Sequence, residues 1–356
     1  MVVAICALLL VIAGGWYIFA NYRIVDGTFI KNTEFKFLGY EDNLLVAYDN
    51  ADVDAQIAEA EKLKANGSDW VTANIYLAEA YLNKGSLRFQ EDEYADKAIV
   101  LLQEVLNTQP KNIQALIAMG YAYEIKQEYL NAFTYYDRAI EVDPTYDVAY
   151  TKRGHAYDLT GDWNKAQADY LKAYEINPDN ANTLLNLARL YYRTGGNSNT
   201  DLATQFADLV IDKSENSYAI AVASELIGLI AIDTDDFPLA IQYLDFAIEN
   251  DPMYPGPYEH RAYAKMLLAE DKDAETKTRL YTEAGADIDK ALSLNADSSN
   301  ATALKGLLAF ARGQKAEALA LYNQALTMVG SDITLGAIEK TVVRDDIKDL
   351  IAQLNS

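Results

Sequence analysis

The chain has 356 residues, 51% of them hydrophobic and 26 of them tyrosine, and carries 30 Lys plus Arg against 53 Asp plus Glu for a net charge of −23. Such a composition excludes a disordered chain, and such a charge repels phosphate backbones and anionic headgroups, which excludes nucleic acid as a partner and makes any lipid contact depend on an apolar anchor. The single cysteine, Cys6, excludes an intrachain disulfide framework and a Cys-rich metal site.

In chain order, the first stretch is "MVVAICALLLVIAGGWYIFANYR", with no charged side chain before Arg23. The apolar run from Val2 to Ala20 is long enough to cross a bilayer as a helix, and Trp16, Tyr17 and Tyr22 stand where an interfacial aromatic belt falls. A cleaved signal peptide fits less well, because there is no basic leading region and Ile18 occupies a position that prefers a small residue. Residues 1–21 are therefore expected to form a hydrophobic helix of membrane or assembly type. The acidic remainder, with no cysteine beyond this anchor, is expected outside the cytoplasm or on the cell surface. Residues 22–50 are rich in β-branched and aromatic side chains around an Asp26-Gly27 turn signal, which predicts a short β-containing spacer. Helical periodicity takes over from Ala51.

Beyond that point the sequence repeats. Pro110, Pro144 and Pro178 are spaced by 34 residues, each closing a helix-like run: "LNTQP", "IEVDP", "YEINP". Proline cannot continue a helix, so each marks a reversal of the chain. Before Pro144, small and aromatic residues recur as Leu116, Met119, Gly120, Tyr123, Ala132, Tyr136 and Ala139. Before Pro178, the series is Tyr150, Gly154, Tyr157, Ala166, Tyr170 and Ala173. Glycine in a helix interior costs about 1 kcal/mol against alanine, so its recurrence at one phase implies two closely packed antiparallel helices per repeat.

This pattern resembles the tetratricopeptide repeat family. The resemblance implies an all-α, right-handed α-solenoid of about seven helix pairs over residues 51–330, preceded by the hydrophobic helix and the β-containing spacer. The other units start at Leu77, at Leu187 (interrupted by "GGNSNT"), at Ile227, at Tyr258 (with an insertion near "LAEDKDAETK") and at Gly306. Residues 331–356 are expected to form an amphipathic helix capping the apolar end of the stack.

Catalytic chemistry finds little support. His155 and His260 are the two histidines, in different units and without a metal-ligand spacing partner, and no phosphate-binding loop, dinucleotide-binding glycine motif or zincin motif occurs. The acidic clusters "EDKDAE" and "DTDDF" lack the ligand spacing of a calcium loop. No enzyme activity, cofactor or metal is expected. The family places function on the first helix of each pair, lining a concave face. Carried over position by position, this gives Tyr121, Glu124, His155, Asp158, Arg189, Tyr192, Arg193, Glu225, Glu259 and Tyr263 as the candidate partner-binding groove. The carboxylate clamp of chaperone-binding relatives is not matched, since Ile117, Tyr121 and Thr151 stand at clamp positions and only Lys152 and Asn186 are of suitable type. The function expected is a membrane-tethered scaffold that binds a protein partner. The alternative is a subunit of a surface filament, self-associated through N-terminal helices packed in its core.

Overall fold

A computed structural model describes residues 8–12, 15–19, 22–25, 28–31, 70–85 and 91–329, with scattered helical positions between 57 and 65 and between 344 and 352. Two units are distinguished: Asn43–Leu190, and Met1–Asp42 with Tyr191–Ser356. Among the described residues the first unit holds α1 (Trp70–Gly85), α2 (Glu91–Thr108), α3 (Ile113–Ile125), α4 (Tyr129–Val142), α5 (Asp147–Leu159), α6 (Trp163–Ile176) and most of α7 (Ala181–Thr194). The second holds α8 (Asn197–Lys213), α9 (Ser217–Asp233), α10 (Phe237–Asn250), α11 (Gly256–Ala269), α12 (Ala274–Leu294), α13 (Ser299–Ala311) and α14 (Lys315–Met328).

One packing rule builds the pairs. A small residue on the first helix faces a large one sixteen positions later on the second: Gly120 under Tyr136, Gly154 under Tyr170, Gly228 under Leu244, Gly306 under Tyr322. Those four large side chains are at most 1% exposed, and the alanines at 132, 166, 240 and 318 are fully buried beside them. Full burial of a side chain of this size is worth about 1.5–3 kcal/mol, so this contact contributes substantially to each of these four pairs. The ring of Tyr136 also reaches Ala156 of the following pair, so it joins neighbours as well as partners.

Turn chemistry repeats in phase with the packing. The residue seven positions beyond each small residue is left-handed: Gln127 at φ 57°, Gly161 at 78°, Asp235 at 63° and Gly313 at 78°. This conformation ends the first helix and releases the chain into the second. First helices are then started by side-chain caps, with Asn112, Asn216 and Ser298 accepting from the backbone N–H of Ala115, Ala219 and Ala301. The prolines serve as anchors too, since the Tyr150 and Tyr258 hydroxyls donate to the Pro144 and Pro252 carbonyls, both at 3.2 Å.

Three expectations change. The hydrophobic helix over 1–21 is replaced, where described, by antiparallel strands β1 (Leu8–Ile12) and β2 (Gly15–Phe19), with Ile12 opposite Gly15. Gly14 and Gly15 each cost a helix about 1 kcal/mol, while the β-branched and aromatic residues on either side favour pleated backbone. Among the described residues no helix is long and apolar enough to cross a membrane. Second, "GGNSNT" is not a loop throughout, because Gly195 and Gly196 turn the chain at positive φ and α8 begins at Asn197. Third, the insertion near "LAEDKDAETK" mainly lengthens a helix. It gives α12 21 residues where α10 and α14 have 14, and Asp273 caps its start through Glu275 and Thr276. Most of the capping helix expected over 331–356 lies outside the described residues, although Ile347 is buried. In the spacer, β3 (Tyr22–Val25) pairs antiparallel with β4 (Thr28–Lys31), and residues 32–50 lie outside the described residues.

Candidate functional site

The ten residues carried over from the repeat pattern do not form one open groove. In the first unit Tyr121 and Asp158 are half-buried, and the Lys152 ammonium sits 4.7 Å from the centre of the Tyr121 ring. Glu124 is buried. One of its carboxylate oxygens accepts from the Tyr136 hydroxyl at 3.1 Å, and the other lies 2.8 Å from His155 Nδ1. Burial and the adjacent Glu124 carboxylate push the Tyr136 hydroxyl well above its ordinary pKa, so it remains a donor at all practical pH. Arg189 is 5% exposed and presents no open positive charge.

In the second unit Tyr192, Arg193, Glu225, Glu259 and Tyr263 are all buried. The Tyr192 hydroxyl donates to Asp233 at 2.9 Å, and burial holds that carboxyl well above the usual range. Glu259 accepts from the Ser298 hydroxyl at 2.9 Å. Glu225 repeats what Glu124 does: it accepts from the Tyr254 hydroxyl and faces His260 Nδ1 at 3.0 Å. Both histidines of the chain thus meet a buried glutamate that also takes a tyrosine hydroxyl. The sequence pattern hid this because Glu124 stands four residues after its small residue, Gly120, whereas Glu225 stands three before Gly228.

Chemically these are holding arrangements, in which a buried glutamate accepts from a tyrosine hydroxyl and meets a histidine Nδ1, joining consecutive first helices. Glu124→Ala is expected to cost about 1–3 kcal/mol, because it leaves the Tyr136 hydroxyl and the His155 ring nitrogen without their acceptor. The urea midpoint reads this directly. An unchanged midpoint would mean that the trio carries no stability.

The periodic reading also missed the strongest charge pairs. Arg153 reaches Asp137 on the preceding second helix at 2.7 Å and grips both carboxylate oxygens of Asp169 on its own second helix at 2.7 and 2.8 Å. Arg261 does the same with Asp245 at 2.6 Å and with Asp287 at 2.5 and 3.0 Å. Lys305 contacts Asp289 at 2.7 Å. In all three cases the acid on the preceding helix stands sixteen residues before the base, a spacing that was present in the sequence to be found.

What remains open is the first-helix surface of Asn43–Leu190. On α5 only Ala149, Thr151, Gly154 and Ala156 are buried, which leaves Lys152, His155 and Asp158 partly accessible near Tyr121. A separate depression of about 610 Å³ in this unit is lined by Glu61, Leu77, Tyr81, Lys97 and Val100. Among the described residues no group of three or more His, Cys, Asp or Glu side chains is placed to hold a metal ion.

Comparison with known proteins agrees with this geometry. Tetratricopeptide-repeat family models match residues 113–146, 135–168, 159–195 and 273–333. No curated protein matches the chain. Among solved structures, yeast Tom70 is similar at 18% identity and a TM-score of 0.57, over 86% of this chain and 59% of Tom70. The Cut9–Hcn1 hetero-tetramer of the APC/C is similar at 16% identity and a TM-score of 0.59, over 88% of this chain and 54% of that one. A tetratricopeptide repeat protein from Parabacteroides merdae ATCC 43184 is similar at 19% identity and a TM-score of 0.54, over 76% of this chain and 98% of that one. The chain therefore spans a little over half the length of the first two. At these identities the likeness is one of fold, and the fold is a stack of tetratricopeptide helix pairs.

Proposed function

We propose that this array of tetratricopeptide pairs is a non-enzymatic scaffold that holds a protein partner along the first helices of Asn43–Leu190. The observation that supports it most is the one-sided burial of α5, which leaves Lys152, His155 and Asp158 accessible in a row with the half-buried Tyr121. An aromatic ring flanked by both signs of charge suits an extended peptide or a partner helix, because rings supply contact area at low entropic cost and charges fix register. Cut9–Hcn1, which shares the fold, is itself described as a hetero-tetramer.

The reading needs no membrane tether. The test is affinity capture with the full chain and with Tyr121→Ala/Asp158→Ala, followed by identification of bound proteins. A specific partner should be recovered about tenfold less by the variant, the size of a single hot-spot loss, at an unchanged melting midpoint. Equal recovery by both chains would remove this surface from consideration.

A further inference from the structure

The first helices of the second unit are covered more completely than helix pairing explains. In a paired array a first helix buries the faces turned to its neighbours and leaves one face open, as α5 does. In α9, by contrast, every residue from Ala221 to Ile232 is buried, and the run "AVASELIGLIAI" contains one charged side chain, Glu225. The pattern continues in α11, where Pro257, His260, Tyr263, Ala264 and Met266 are buried, and in α13, where burial is unbroken from Ser299 to Leu304. In α9 the burial is almost wholly of apolar side chains, whereas α11 and α13 also bury polar ones, Glu259, His260, Asn300 and Thr302 among them; a helix buried on every side has a cover on every side. Beside α11 and α13 lies β1, the strand Leu8–Ile12.

We propose that the faces of α11 and α13 not used in helix pairing form an apolar docking groove for an extended chain, and that its occupant is the N-terminal segment Leu8–Ile12 of the same molecule. The chemistry of the two sides matches. The segment "LLLVI" has no charge, and its pairing with β2 engages one strand edge. The glutamates in the groove region already have internal partners: Glu225 is held by Tyr254 and His260, and Glu259 by Ser298. No bare carboxylate of these two therefore opposes an apolar guest. The same apolarity that makes residues 2–20 long enough to span a bilayer makes part of them a strand-shaped ligand for this chain.

The occupant can be identified in the full chain. A photo-crosslinking residue, benzoylphenylalanine, is placed at position 10 in place of Leu10, and the protein is irradiated in the presence of phosphatidylcholine vesicles. Expected products are intrachain adducts mapping to 256–269 or 299–311. Adducts to lipid, adducts to a second copy, or the absence of any adduct to 256–269 or 299–311 overturn the proposal. A second measurement uses Leu9→Asp/Val11→Asp in the full chain. Displacing the strand should raise the fluorescence of a hydrophobic dye several-fold while helical circular dichroism is kept, and unchanged fluorescence counts against the groove.

Discussion

Gly120→Leu is expected to lower the denaturation midpoint strongly, more than the same change at Gly154, Gly228 or Gly306, the equivalent positions of three other helix pairs. A β-carbon added at Gly120 would stand 2.4 Å from the Tyr136 ring, inside any real contact distance. That ring cannot step aside: it is fully buried, packed against Ala132 and Ala156, and tied by its hydroxyl to Glu124. Overpacking costs typically 1–3 kcal/mol, and a leucine facing a tethered ring belongs at the upper end of that range. Gly285→Ala supplies the contrast. Its β-carbon would meet Leu308 at 3.4 Å, an ordinary contact, so removing a helix-interior glycine should leave stability level or raise it by about 0.5–1 kcal/mol. Urea titrations of both variants check the pair. Equal midpoints for Gly120→Leu and the parent would mean that the first and second helices do not meet where described.

The second large effect is expected at Arg153. Its guanidinium grips Asp169, whose side chain is 9% exposed, and also touches Asp137, whose side chain is 52% exposed. The hydrogen bonds that Arg153 donates to Asp169 raise its proton affinity further above an already high value, so the guanidinium stays charged at all practical pH. Arg153→Ala strands a nearly buried carboxylate, a change that costs about 3 kcal/mol or more when no solvent reaches the orphan. Asp137→Ala removes only an exposed contact and should cost under about 1 kcal/mol. Arg153→Lys keeps the charge but cannot hold both oxygens of Asp169, so it falls between the two. Chemical denaturation of the three variants gives the order, and a cost at Asp137 equal to that at Arg153 would show that the bridge to the preceding helix, not the grip on Asp169, is what matters.

These two residues also show how far a linear pattern reaches. Gly120, Tyr136 and Ala132 were legible because one packing requirement recurs in four of the helix pairs and so leaves a period in the sequence. Arg153 was legible in principle by its spacing from Asp137, but the phase of small and aromatic residues draws attention away from charges. Arg189 and Arg193, two of the groove candidates, stand four residues apart on one helix, and the structure buries both. Of the ten groove candidates, Glu124 and His155 were named as separate positions and turn out to touch. Glu225 was named without its partner, His260.

The helical repeat itself was determined locally. A helix pair needs a small residue under a large one, a left-handed turn and a capped restart, and all three are set within some forty residues of chain. The sequence alone was therefore sufficient for the repeat and its phase and for the absence of an intrachain disulfide framework. Exposure was decided only in three dimensions. Whether a first-helix side chain faces solvent or a neighbour depends on what lies across from it, and that neighbour comes from another repeat or, for α11 and α13, from the far end of the chain. The N-terminal segment makes the same point. Its hydrophobicity is a sequence property, but lipid, a like helix and an apolar groove all satisfy hydrophobicity equally, and only the tertiary structure brings Leu8–Ile12 beside two helices more than two hundred residues away.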